Sequence, residues 1–179
     1  MISVARRRKG RPIDGLLLVD KPAGMTSNAV LQTAKRALFA AKAGHTGSLD
    51  PAATGVLPLC FGEATKFSRF LLDADKRYRS EITLGLTTAT GDADGEVLQR
   101  CDASAVTRAQ VDAARARFVG RIEQIPSMFS AIKHQGQPLY KLAREGKEVE
   151  RKTRVVTIHS LELLAFEGGE CATVEIDLH

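Results

Sequence analysis

Apolar and polar residues alternate with a period of two through three stretches of this chain, and a short glycine turn separates the last two. Tyr78, Ser80, Ile82, Leu84 and Leu86 fall on one side of "RYRSEITLGL". Arg154 to Phe166 and Ala172 to Leu178 alternate around "EGGE", Glu167 to Glu170. A period of two marks strands with one face toward a core. A connection that short leaves no room for a crossover helix, so the last two strands form an antiparallel hairpin.

The rest of the chain mixes both kinds of element. "GLLLVDKPAGMTS" opens with a short buried-strand signal and breaks between Asp20 and Pro22. Thr26 or Ser27 then caps a helix expected to run to about Ala41, with Val30, Ala34 and Leu38 on one face. Val56 to Phe61 reads as a strand, which Pro58 assigns to an edge or a bulge. Glu63 to Leu72 is expected to be helical, with Phe67, Phe70 and Leu71 as its stripe. Thr107 and Gln110 have capping-box spacing for a helix ending near Gly120. "IPSMFSAIK", "HQGQ" and "PLYKLAREG" read as strand, turn and short helix. The fold class is therefore α/β of the α+β kind, a mixed, largely antiparallel sheet flanked by helices.

With 179 residues, 44% of them hydrophobic, the chain suits one domain with its own core. Its charge of +5 is concentrated at the start: Arg6, Arg7, Arg8, Lys9 and Arg11 precede the first acid, Asp14. Residues 1–12 are expected to be a flexible basic arm with salt-sensitive affinity for phosphates, and residues 13–179 the folded domain. The body beyond is neutral but uneven. Lys66 to Arg79 carries five bases against two acids, and Lys133 to Arg154 seven against three. Two such segments can give a neutral body a basic face for a polyanion, although each alone reads first as a solvated helix face.

Cys60, Cys101 and Cys171 are odd in number and far apart, against a zinc ribbon or a disulfide framework. The longest apolar run near the start, Leu16 to Val19, is too short to span a bilayer. A monomer in the cytoplasm, away from membranes, is the expectation.

The chemistry concentrates in "AGHTGSLDPAATGVLP", Ala43 to Pro58, where His45 and Asp50 are the only ionisable side chains. Asp50 before Pro51 has the form of a helix N-cap. Equally, a carboxylate among Gly44, Gly47, Ser48 and Gly55, held extended by the following proline, suits a nucleophile or general base that a bulky substrate must reach. His45 reads as a base, a ligand or a loop residue, but no second ligand sits at metal spacing. Gly44 to Gly47 also has the form of the loop with which KH domains clamp nucleic acid, yet that loop joins two helices and the downstream side here reads as strand. "GDADGE" lacks the later bidentate glutamate of a calcium loop, and no phosphate-binding glycine signature appears. Tyr78 reads as a core residue or, between Arg77 and Arg79, as a platform for a base beside its phosphates.

Taken in order, "GLLLVDKPAGMTSN", "GHTGSLDPAATGVLPLCFGEATKF", "LLDADKRYR", "TGDADG", "IPSMFSAIKHQGQPLYKLAREG" and the final hairpin resemble the TruB-type tRNA pseudouridine synthases. The resemblance runs from Gly15 to the last residue. It implies an isomerase that converts uridine 55 of the tRNA T-loop to pseudouridine by base flipping, without cofactor or metal. It also implies that Asp50 is the nucleophile, that His45 fills the space the flipped base leaves, and that Tyr78 stacks on that base and handles the C5 proton. Lys21, Lys66 and Lys133 fall in matching motifs and are assigned to RNA phosphates or loop support; Asp92 matches an acid near the site. The competing class is a non-catalytic RNA-binding or RNA-folding module using the same surface. The family's next motif, Lys-Gly-Thr-Tyr-Ile-Arg, carries an arginine that pairs with the aspartate, and the chain stops at His179 before it. The expectation is a catalytic domain incomplete at its C-terminus, weak or inactive alone.

Overall fold

The computed structural model describes residues 10–179, which divide into two compact units, one ending at Asp75 and the other running from Lys76 to His179. Arg6 to Lys9 of the basic arm lie outside the described residues. Arg11 is fastened by its backbone, donating to Phe39 O at 2.6 Å and accepting from Ala41 N at 2.9 Å. Among the described residues every pair of named strands is antiparallel, but the pairing is divided among five small sheets rather than one.

The first unit contains β1 (Gly15–Lys21), α1 (Ser27–Ala37), β2 (Ala43–His45), β3 (Gly55–Phe61), a 3-10 turn (Gly62–Phe67) and α2 (Ser68–Leu72). Its sheet has the order β1-β3-β2, so β3 is central despite Pro58. A strand residue points its N–H and C=O to the same side. Pro58 accepts Thr46 N–H at 3.2 Å, so its missing donor faces the side where β2 has already ended and not β1. Leu57, Leu59 and Phe61 pack with Val30, Leu31 and Ala40 into the core. On the opposite face Leu16 is 59%, Leu18 69% and Val56 67% exposed although Cys60 is buried, so β1 is not the buried strand its leucines suggest.

Thr26 is the N-cap of α1, its hydroxyl accepting Ala29 N–H at 3.1 Å. The helix stops at Ala37, short of Ala41, because Phe39 adopts φ 49° and Ala41 bonds Arg11 instead. Leu38 thereby becomes the C-cap and is exposed, and Leu31 takes its expected place in the core. Glu63–Leu72 is likewise not one helix, and Phe67 and Phe70 of its stripe are exposed. Gly62 has φ 54° at the turn out of β3, and a methyl there would collide with the Asp14 carboxylate and the Ile13 carbonyl.

The second unit contains β4 (Tyr78–Thr83), β5 (Leu86–Thr88), β6 (Val97–Arg100), α3 (Arg108–Arg115), β7 (Gly120–Gln124), β8 (Lys133–His134) and β9 (Gln137–Pro138). α4 (Leu139–Arg144), β10 (Arg154–Ile158), β11 (Leu161–Glu167) and β12 (Thr173–Leu178) complete it. The expected hairpin is β11–β12, and β12 also pairs with β4. Arg154–Phe166 is two strands rather than one: His159 and Ser160 both donate to His179 O, at 2.6 and 3.0 Å, and β10 leaves to pair with β7. The capping box at Thr107 and Gln110 is present. Of "IPSMFSAIK" only Lys133 enters a strand, in a hairpin turning at Gln135 and Gly136.

Candidate active site

Asp50 lies on an exposed loop between β2 and β3, and no helix follows it. Ala53 N–H donates to Asp50 O at 3.1 Å, which closes one turn, so the helix-cap description is set aside. Gly47 at φ 109° and Gly55 at φ 123° occupy backbone conformations that side chains rarely adopt, and they bracket the acid. Around Gly44 and Gly55 there is open space out to 4 Å.

What fixes this loop is a buried cation. Lys21, at the end of β1, has no exposed surface. Its Nζ donates to Met25 O at 2.8 Å, Pro22 O at 2.9 Å and Pro51 O at 3.2 Å. Burying an ammonium is costly unless its three donors are used, and here all three are. Gly24 N–H adds a bond to Pro51 O at 2.8 Å. Of the two roles expected for Lys21, the geometry leaves loop support, since no donor remains for a phosphate. Ser27, which the sequence offered only as a helix cap, instead bonds both backbone groups of Leu49. Spacing gave no sign of that contact, which spans 22 residues.

His45 ends β2 opposite Leu59, half-buried, with Nδ1 buried and without a hydrogen-bond partner. Thr46 beside it is buried and its Oγ1 is likewise unpartnered. Lys66 sits exposed on the 3-10 turn, paired with Glu63, whose hydrogen bond and charge raise its ammonium pKa. Lys21, His45, Asp50 and Lys66 thus belong to the first unit.

Tyr78, Asp92 and Lys133 belong to the second unit, and each stands on a different sheet or loop. Tyr78 begins β4 opposite Leu178 and is 48% exposed, which removes the core description. Ser80, Ile82, Ile176 and Val174 share its face by register. Arg77 and Arg79 project to the other face, where they bond Asp177 at 2.7 Å and Glu175 at 2.5 Å. Tyr78 and the two paired arginines thus lie on opposite faces of the β4–β12 pair. Asp92 is exposed in the β5–β6 loop; its carboxylate accepts Thr90 Oγ1 at 2.5 Å and its carbonyl accepts Thr88 Oγ1 at 2.9 Å. Lys133 is exposed in β8.

Among the described residues no group of three His, Cys, Asp or Glu is arranged to hold a metal ion. No helix there is long and apolar enough to cross a membrane.

Residues 35–179 match the family model described as TruB family pseudouridylate synthase, N-terminal domain. The chain is 61% identical over 176 residues to the tRNA pseudouridine synthase B of Aliivibrio salmonicida, covering 98% of this chain and 54% of that protein. The protein of the same name from Photobacterium profundum is 60% identical over the same coverage. The chain therefore spans about half the length of these curated relatives. Among solved structures, a Cbf5–Nop10–Gar1 complex is similar with a TM-score of 0.62 and 28% identity, over 92% of this chain and 39% of that one. An H/ACA RNP bound to a substrate RNA containing 2′-deoxyuridine shares the fold at a TM-score of 0.60 and 23% identity, over 99% of this chain and 44% of that one.

Proposed function

The chain belongs to the TruB family of pseudouridylate synthases, and from that premise we propose that it isomerises uridine 55 of the tRNA T-loop to pseudouridine with Asp50 as nucleophile. The relatives named tRNA pseudouridine synthase B support tRNA as the substrate. The observation that carries the assignment to Asp50 is its placement: an exposed carboxylate on a loop of small residues whose next residue, Pro51, is fastened by Lys21 and Gly24.

A uridine in a stacked loop is reached by flipping it out of the stack, and the glycines beside Asp50 let its sugar and base approach the backbone. The carboxylate adds to the nucleotide at C1′ or C6. The glycosidic bond breaks, the uracil turns, C5 joins C1′, the bond to Asp50 is released, and C5 gives up its proton while N1 takes one up. Tyr78 stacks on the turned base and handles that proton. His45 occupies the space the base has left. Lys66 and Lys133 meet phosphates, and Asp92 lies near the reacting base. Neither a cofactor nor a metal is part of the proposed sequence. A cytoplasmic monomer bound to the T-arm completes the reading.

The test is tritium release from a T-arm hairpin bearing 5-tritiated uridine, with this chain beside Asp50→Asn. Release that disappears in the variant while the hairpin stays bound supports the assignment. Equal release from both chains would sink it; binding without release from either would mean an incomplete synthase or a non-catalytic RNA-binding module, and adding the segment with the Lys-Gly-Thr-Tyr-Ile-Arg motif would then decide between them.

A further inference from the structure

We infer that Ser27 is a positioning residue for Asp50, an inference that rests on Asp50 being the nucleophile. Ser27 is 3% exposed at the start of α1. Its hydroxyl donates to Leu49 O at 3.1 Å and accepts Leu49 N–H at 2.8 Å. One side chain thus closes both backbone groups of the residue just before the carboxylate, as a neighbouring strand otherwise would.

The helix does not need that hydroxyl. Thr26 already caps α1 through Ala29 N–H, which leaves Ser27 for the loop. Within the same helix Val30 and Leu31 are core residues, so the hold on Leu49 is anchored in the packed interior of the unit. On the far side of Asp50, Pro51 O receives both Lys21 Nζ and Gly24 N–H. Asp50 is therefore one residue between two fastened ones, and Pro51 restricts its backbone further. The two ends differ in redundancy. The Pro51 end has two separate donors, whereas the Leu49 end depends on a single hydroxyl. Removing it frees the peptide unit that aims the carboxylate, which a reaction sensitive to placement at the scale of an ångström registers as lost rate rather than lost affinity.

The experiment compares the 179-residue chain with Ser27→Ala and Thr26→Ala by two readouts. Amide hydrogen exchange at Leu49 reports the hold directly. Single-turnover tritium release from the T-arm hairpin, beside the hairpin Kd, reports its consequence. Ser27→Ala is expected to speed Leu49 exchange by about tenfold or more and to slow release by roughly ten- to a hundredfold, with Kd within about twofold. Thr26→Ala, which loses the cap instead, leaves both readouts near wild type. Should Ser27→Ala fail to fold, Ser27→Cys, a close replacement with weaker bonds, is read the same way. Unchanged Leu49 exchange overturns the inference, and so does a rate loss that Thr26→Ala reproduces. If the wild-type chain itself releases no tritium, as is expected of a domain without the arginine of the Lys-Gly-Thr-Tyr-Ile-Arg motif, the exchange arm alone decides whether Ser27 holds the loop, and the nucleophile assignment is judged separately by Asp50→Asn in a chain carried on through that motif.

Discussion

Arg77 Nε lies 2.7 Å from Asp177 Oδ1, on the face of the β4–β12 pair turned away from Tyr78. The hydrogen bond to Arg77 lowers the pKa of the Asp177 carboxyl, and the same bond raises that of the guanidinium. A depressed folded-state pKa contributes stability above the unfolded value of about 3.9 and loses it as pH falls through the folded value. Arg77→Gln should therefore lower the urea midpoint at pH 7 and flatten its decline below about pH 4. Asp102 and Glu145 shift in the same direction through Ser104 and Lys147, so the difference from wild type isolates Asp177. An equally steep decline in the variant would assign the acid sensitivity elsewhere.

Lys21→Met keeps the length of the side chain and removes the charge. It leaves the Met25 and Pro22 carbonyls without the partner they have and weakens the hold on Pro51. The expected cost is about 2–4 kcal/mol, measured by urea unfolding. The salt dependence of hairpin binding should be unchanged, because this ammonium is not available to phosphates. Lys66→Ala and Lys133→Ala should do the reverse, with little loss of stability and a salt slope smaller by about one each.

Gly62→Ala forces a side chain into φ 54° and against the Asp14 carboxylate, which also accepts Glu63 N–H at 2.7 Å. A loss on the order of 2–4 kcal/mol is expected in thermal or urea unfolding. Gly44→Ala, where the space is open, should cost far less.

Thiol reactivity separates the cysteines. Cys101 and Cys171 are exposed, whereas Cys60 has no accessible surface and burial raises its thiol pKa. A disulfide reagent on the native chain should modify Cys101 and Cys171 quickly and Cys60 only on unfolding. Rapid modification of Cys60 would mean that β3 opens readily.

What the sequence revealed was local. The alternation of Tyr78, Ser80 and Ile82 survives as one face of β4, and the Thr107–Gln110 box forms as its spacing requires. Distant partners decided the rest. Nothing near His159 announces that His179 O takes its N–H and ends a strand that the pattern continues. Residue type alone leaves a lysine at the surface until three carbonyls converge on it, and for Lys21 only the family resemblance offered loop support, beside phosphate binding. Asp50, His45 and Tyr78 were legible as candidates from residue type and motif; Ser27 was not, because a hydroxyl at a helix start already has a local explanation.

Pro58 has a bearing on how the chain keeps to itself. β2 pairs with β3 only from Leu59 to Phe61, which leaves the margin of β3 from Gly55 to Pro58 without a strand partner on that side, and Val56 within it is exposed. An uncovered strand margin next to apolar side chains is a template on which a foreign strand can add. Here the first position beyond β2 has no N–H to offer, and Thr46 already occupies its carbonyl. A proline in the middle of the sheet thus blunts the margin against intermolecular zippering, leaving little more than the Val56 peptide groups for a second chain to grip.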